Sequence, residues 1–422
     1  MPIRSVDFVC ICYDVAGTNV FKPVIQDLAD RGYGYTIVAM GSAAANAVKV
    51  TKFPESNVKN ITELGSETGV PAKGWERGQK LPKKDVETIV QSIMNMHPEA
   101  ILVESSSRVQ HQIAKALCNN GFPRECLFVY YDNMNMCIHD NPNAALILRF
   151  VNSNFQMLLP TFFIEDNLKA NSPDISARNF KVVGHPGVEA AVAVEQMETL
   201  RSQSTAIYQK LNIREGEFIL SFLGGYLNGY EEAFELFVKQ VKMLREALPL
   251  YNGVQIVVTV HPKLNDESKN DLHEFKMLEK YGIENYTIVQ GQKLHKRYGD
   301  LFEIPFETLV CTETSPATSR DVMSISSLTL SQSSTLIPEA VLAQIPAHFV
   351  NPTTQKNTMV DCGLCQNLNQ EDSLVEYFNS NKVQSTLSQE QLFFKAQLLR
   401  NAVQRISTLL LQAIKTPDAV AI

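Results

Sequence analysis

Three hydroxyl residues in a row, Ser333, Ser334 and Thr335, stand just ahead of Glu339. They follow a strand-like run, Ser324–Leu330, and open a short apolar helix pattern that breaks at Pro346 before a second run, Ala347–Val350. A strand that feeds a hydroxyl-rich turn and then a helix can hold an anion. Backbone N–H groups without partners and the positive end of the helix dipole point into the turn. The hydroxyls add donors. Glu339 lies about one helical turn further on, where a carboxylate can accept hydrogen bonds from sugar hydroxyls. The same residues also suit an N-capped core helix with a solvated Glu.

Other groups with chemistry sit at the ends of strand-like runs. Gly224-Gly225 follows Phe218–Phe222 and lets a backbone approach a ligand. His261-Pro262-Lys263 follows the β-branched run Val254–Val260. In the first half, Asp14, Gly17 and Thr18 follow Val6–Tyr13, Glu104 follows Ala100–Val103, and Asp132 follows Leu127–Tyr131. Acidic residues on one rim of a parallel sheet can act as a general base or cap the helices that follow. His185, between Gly184 and Pro186-Gly187, is a second base candidate or a turn residue.

These residues need a frame that brings strand ends together. The alternation of strand and helix patterns predicts it: an α/β chain of two Rossmann-like, doubly wound domains facing a cleft. In the first half, the helix patterns Val20–Arg31, Lys83–Asn95 and Arg108–Asn119 separate the strands. Leu158–Ile164 and Phe180–Val183 read as its last strands, and Thr51–Pro82 as a long loop. A charged, Gln-rich helical stretch, Val188–Leu211, marks the boundary. The second half repeats the grammar, with a helix at Tyr230–Leu248, a strand at Tyr286–Val289 and an irregular stretch to about Asp321. A last helix, Ser388–Ile414, starts at a Ser388-x-x-Gln391 capping box and carries an apolar stripe suited to core packing between the halves. The domains expected are 1–186, 187–390 and a C-terminal helix, 391–422, that returns to the first domain.

Composition narrows the function. At 422 residues and 45% hydrophobic content, the chain is long enough for two cores. A net charge of −7 without a basic block argues against a nucleic-acid partner. No apolar run is long enough for a membrane span and no cleavage site follows the N-terminal one. That predicts a cytoplasmic protein and leaves export without a cleaved signal open. Eight cysteines do not make a disulfide framework in a chain of this length. Cys362-x-x-Cys365 has metal or redox spacing but no second pair nearby, so no metal site is expected.

Three features together resemble the GT-B nucleotide-sugar glycosyltransferases and their fold relatives, the UDP-N-acetylglucosamine 2-epimerases and bacterial sialyltransferases. Leu220-Ser-Phe-Leu-Gly224-Gly225 is similar to the glycine loop that opens the donor half. Val260-His261-Pro262 is similar to the family's His-Pro motif, and Ser333-Ser334-Thr335-x-x-x-Glu339-Ala340 to its small-residue turn and Glu. Val183-Gly184-His185-Pro186 is similar to the family's strand-to-linker junction. Gln332 stands where the family often has Asp or Gly, and the arginine and acidic pattern of an epimerase is not evident.

The resemblance implies a metal-independent glycosyltransferase without a cofactor. Its donor would be UDP- or CMP-linked, and its acceptor a glycan, lipid or protein hydroxyl. Ser333, Ser334, Thr335 and His261 would contact the phosphates with Lys263 in support, and Glu339 would hold the ribose. Gly17, Thr18, Gly224 and Gly225 would line the substrate, and Asp14, Glu104 or His185 would serve as base. Epimerisation or hydrolysis of a nucleotide sugar, and a non-catalytic adaptor that binds one, remain as alternatives.

Overall fold

The computed structural model describes the chain except residues 1–5, 14, 41–46, 49–51, 62–63, 65–79, 132–143, 154, 172–178, 226–228, 252, 262–271, 292, 298–306, 311–316, 353–356, 362, 381–388 and 416–422. The chain divides into two compact units, Met1–Ala190 with Phe394–Ile422, and Ala191–Phe393. Unit 1 is therefore discontinuous: the chain leaves it, builds unit 2 and comes back.

Unit 1 holds a seven-stranded sheet. Its strands are β1 (Phe8–Cys12), β2 (Tyr35–Ala39), β3 (Val58–Asn60), β4 (Ala100–Glu104), β5 (Leu127–Tyr130), β6 (Gln156–Leu159) and β7 (Phe180–Val182). They run parallel in the order β3-β2-β1-β4-β5-β6-β7. β1, with the sequence FVCIC, is buried at every position. That is the pattern of a strand covered by helices on both faces, and it explains the near-continuous apolar run. One face packs Val9, Ile11, Ile101 and Val103 with Ile89, Ile93 and Ile113. The other packs Phe8, Cys10, Ala100 and Leu102 with Phe21, Ile25 and Leu28.

The C-terminal helix, Ala402–Lys415, completes that second face, with Ile406, Leu410 and Ile414 in the same cluster. Its first turn is held by Glu189, whose carboxylate accepts from Ala402 N at 2.7 Å and Val403 N at 3.4 Å. A carboxylate at a helix N-terminus satisfies orphan donors and meets the positive end of the dipole. The single helix expected over Ser388–Ile414 is two, Gln389–Leu398 and Ala402–Lys415. The break falls beside Asn401, at φ 56°. Leu392, counted in the apolar stripe, is exposed. Ser388 lies outside the described residues.

Unit 2 holds a second seven-stranded sheet, in the order β12-β11-β10-β9-β8-β13-β14. These are β8 (Ile219–Leu223), β9 (Gln255–Thr259), β10 (Tyr286–Gln290), β11 (Lys293–Arg297), β12 (Glu307–Val310), β13 (Leu328–Ser331) and β14 (Ala347–Phe349). From β10 to β14 through β9, β8 and β13 the pairing is parallel, while β11 and β12 are antiparallel additions at one edge. A helix, Tyr230–Ala247, buries Phe234, Phe237, Val241 and Leu244 against Phe222 and Val258.

Several sequence expectations are corrected. The first helix runs Val15–Asp30, starting five residues before the expected Val20 and passing through Gly17 and Pro23. The run Leu158–Ile164 is not one strand, since β6 ends at Leu159 and a helix, Phe162–Asn171, takes the rest. Val188–Leu211 falls in three short helices, Pro186–Ala191, Val194–Ser202 and Ser204–Leu211. Ser324 and Ile325 belong to a helix, Ser319–Ile325, and β13 starts only at Leu328. The short β3 lies inside the stretch expected to be loop. Among the described residues, no helix is long and apolar enough to cross a membrane.

Candidate functional site

In a doubly wound sheet the strand order reverses at one point, and the carboxyl ends of the two strands there open a crevice. In unit 2 that point lies between β8 and β13. The ends of β8, β9 and β13 are adjacent. They carry Gly224-Gly225, His261 and the Ser331–Thr335 turn respectively. Topology thus puts three separate motifs on one rim.

The turn is organised by Ser331, which the sequence reading did not single out. Its hydroxyl is fully buried and donates to Leu223 O on β8 at 2.8 Å. The same oxygen accepts from Ser334 N at 3.1 Å and Ser333 N at 3.4 Å. Ser334 Oγ in turn accepts from Leu336 N at 3.2 Å. The turn's own hydroxyls therefore satisfy the N–H groups of Ser333, Ser334 and Leu336, and the Ser334 O–H keeps its proton to donate. Ser333 and Ser334 are half-buried and Thr335 is exposed, with no capping bond from its side chain. The helix that follows, Leu336–Leu342, has only seven residues, so its dipole is short and the hydroxyls are the main donors.

Gly224 and Gly225 sit where the strand ends come close together. A Cβ on Gly224 would lie 2.2 Å from Thr259 O and 2.8 Å from His261 N. Gly224 N donates to Thr259 O at 2.8 Å. The close approach is thus between β8 and β9, and it draws the His261 backbone against the glycine. At Gly225 the neighbours of a Cβ would be Gln332 Oε1 and the Tyr230 ring, each at 3.0 Å. His261 itself is half-buried. Lys263 lies outside the described residues.

Glu339 is buried, and the sequence reading missed its partner. Arg320 donates from Nη2 at 2.7 Å and from Nε at 3.2 Å to the same oxygen, Oε2. Burial pushes the Glu339 carboxyl above its ordinary range, and the Arg320 guanidinium pulls it back. Arg320 is placed by a capping box at the start of the Ser319–Ile325 helix. There, Thr318 Oγ1 accepts from Asp321 N, and Asp321 Oδ2 accepts from Thr318 N. Ser319 Oγ donates to Thr259 Oγ1 at 3.0 Å, tying that helix to the end of β9. The T-x-x-D pattern at Thr318–Asp321 was the available signal.

In unit 1 the strand order reverses between β1 and β4. Glu104, the last residue of β4, is fully buried. Its Oε2 accepts from Tyr13 N at 2.8 Å and its Oε1 from Ser106 Oγ at 2.6 Å. A Cβ on Gly17 would lie 2.1 Å from the Glu104 carboxylate. Glu104 therefore occupies the space the glycine leaves at the first helix, and the two residues account for each other. Thr18, next in sequence to Gly17, is also buried. Asp14 lies outside the described residues, as does Asp132.

His185 is part of a clasp. Its N–H donates to Leu398 O at 2.9 Å, and its Nδ1 accepts from Val188 N at 3.0 Å. Its ring packs edge-on against Tyr130, with centroids 6.0 Å apart. Gly184, at φ 94°, leaves room for Leu398 O, which a Cβ would approach to 2.7 Å. With Nδ1 accepting, the neutral ring carries its proton on Nε2.

No family model matches this sequence, and no curated protein matches it. Solved structures do match in shape. The UDP-GlcNAc 2-epimerase from Neisseria meningitidis, bound to UDP-GlcNAc, superposes with a TM-score of 0.62 at 13% identity, over 96% of this chain and 99% of that one. The Methanocaldococcus jannaschii enzyme gives 0.61 at 14%, over 95% and 99%. A glycosyltransferase from Rickettsia africae gives 0.57 at 9%, over 97% and 99%. The chain has the GT-B fold. Identity this low speaks to fold alone, and the chemistry must be argued from the residues on each rim.

Proposed function

We propose that this chain is an enzyme acting on a nucleotide sugar, with a UDP-linked donor held on the rim of unit 2. The observation that carries the proposal is the meeting of three motifs on adjacent strand ends. The Ser331-organised turn offers hydroxyl donors, His261 stands across β8 from it, and the Arg320-paired Glu339 lies one turn along the next helix. A diphosphate needs donors, and a ribose diol needs a fixed acceptor. The fold's likeness to a protein bound to UDP-GlcNAc supports the nucleotide.

The reaction proposed is glycosyl transfer. The bond between the sugar's anomeric carbon and the diphosphate oxygen breaks, and its electron pair leaves with the diphosphate. The turn hydroxyls and His261 stabilise the charge that develops there. An acceptor hydroxyl bonds to the anomeric carbon and gives its proton to a base. Glu104 accepts from Tyr13 N and Ser106 Oγ, and His185 Nδ1 accepts from Val188 N. Asp14, Glu104 and His185 stand together as the candidates for that base. A second reading, epimerisation or hydrolysis, is supported by the several similar structures that are UDP-GlcNAc 2-epimerases.

The test is a thermal-shift panel of UDP, CMP, GDP, ADP and their sugar conjugates, followed by product analysis with and without acceptors. UDP is expected to raise the midpoint in wild type. Loss of His261 in His261→Ala should lower turnover about 10²–10³-fold with the fold intact, the range for removing one charge-stabilising donor. UDP release that needs an acceptor supports transfer. A new sugar nucleotide or free sugar without acceptor supports the second reading. No shift with any nucleotide sinks both.

A further inference from the structure

The Arg320–Glu339 pair has a geometry that goes beyond holding two helices together. Both donors of Arg320 converge on Oε2, and among the described residues no hydrogen bond engages Oε1. Glu339 is the more enclosed partner, with its side chain 10% exposed against 40% for Arg320. A pair on the outer surface would be worth little. Here the carboxylate is buried, and an enclosed carboxylate with no cation beside it tends to take up a proton.

We propose that Arg320 is a positioning residue for the ribose. By clamping Oε2 it fixes the Glu339 carboxyl group and leaves Oε1 for the nucleotide's 2′ and 3′ hydroxyls, so that the site selects ribonucleotides over deoxyribonucleotides. The proposal rests on the reading of this rim as a nucleotide site. The chemistry is specific. A vicinal diol has two O–H donors and is best met by a carboxylate, which only accepts. A protonated carboxyl would offer a donor of its own at one oxygen, and a freely rotating one would not hold the diol in place. The elements packed against the Glu339 helix are β13, β14 and the Ser319–Ile325 helix. Their described charged or titratable groups are Arg320, Asp321 and His348. Asp321 is engaged with Thr318, and His348 is held neutral by burial. Arg320 is the charge that acts on Glu339.

The experiment compares UDP with 2′-deoxy-UDP by calorimetry from pH 5.5 to 8.5, in wild type, Arg320→Lys, Arg320→Ala and Glu339→Gln. The phosphate titrates in both ligands, so the affinity ratio isolates the sugar contact. Wild type is expected to favour UDP about tenfold or more, with a ratio flat across the range, the size expected when a buried polar group loses its partner. Arg320→Ala should lose most of that ratio at low pH and regain part of it as pH rises and Glu339 ionises. Arg320→Lys should restore the flat profile. Glu339→Gln should show a low ratio at every pH, and adding Arg320→Ala to it should change nothing further.

A merely structural Arg320 would alter stability but leave the ratio and its pH profile as in wild type, and that result overturns the proposal. If wild type binds UDP but not more tightly than 2′-deoxy-UDP, the ribose contact is wrong while the phosphate site stands. If wild type binds neither, the nucleotide reading falls and this inference falls with it.

Discussion

At the residue scale, the unit 1 rim shows how a glycine and a carboxylate can belong to each other. Gly17 reads as a ligand-side turn glycine, yet the atoms filling its missing Cβ are those of Glu104. Gly17→Ala should therefore destabilise unit 1 by about 1–3 kcal/mol, as overpacking does. Most of that loss should vanish when Glu104→Ala is present as well. A denaturant double-mutant cycle checks this, and additive losses would mean the contact is not the cause. His348 makes a second residue-scale prediction. Its Nδ1 accepts from Gln366 N, its ring lies against Tyr377, and its Nε2 has no hydrogen-bond partner among the described residues. Burial pulls it from 6.5 down to about 4. As pH falls through that window the unfolded chain takes up a proton that the folded chain refuses. Stability is thus lost between about 6.5 and about 4, by up to ~3 kcal/mol, and levels off below. His348→Gln should flatten that part of the Tm-against-pH curve, and an unchanged slope would exclude His348 as the source.

At the element scale, the strands were the most legible part of the sequence, because a strand covered on both faces is written as an unbroken apolar run. Val6–Tyr13 and Val254–Val260 announce β1 and β9 to within two residues of each end. Elements failed to show where their residues serve a neighbour instead of their own pattern. Gly17 and Pro23 hide the start of the first helix. Ser324 and Ile325 look strand-like, but they end the helix that carries Arg320. The site followed the same rule. The Ser333–Thr335 turn and Glu339 were visible as a local motif, whereas Ser331's bond to β8 and Arg320's pair with Glu339 exist only after folding. The C-terminal helix gives this scale its prediction. Leu410 is fully buried in the unit 1 core. Leu410→Ala should cost about 2–5 kcal/mol, the range for such a truncation. Hydrogen exchange should report faster opening of the Val15–Asp30 helix, which packs against it. Protection there equal to wild type would place the C-terminal helix outside the folding unit.

At the scale of the whole molecule, the chain path itself makes a claim. Unit 2 is one continuous segment, Ala191–Phe393, nested between the two parts of unit 1. Its sheet, its aromatic core around Phe222, Phe234 and Phe237, and the whole proposed donor rim come from within that segment. Among the described residues, every strand of unit 2's sheet comes from within 191–393. Unit 1 is different, because the first 190 residues lack the helix that covers Phe21, Ile25 and Leu28, and would leave that apolar face open to water. Residues 191–393 expressed alone should therefore fold, with sharp thermal unfolding and the same UDP-induced rise as the full chain. Residues 1–190 alone should be aggregation-prone or only partly folded. Joining Ala190 to Phe394 through a short flexible linker should restore a cooperative unit 1 that does not respond to UDP. Circular dichroism melts of the three proteins, with and without UDP, decide the matter. If 191–393 folds but ignores a nucleotide that the full chain binds, the donor site needs residues from unit 1, and the assignment of the whole site to the β8–β13 rim is wrong.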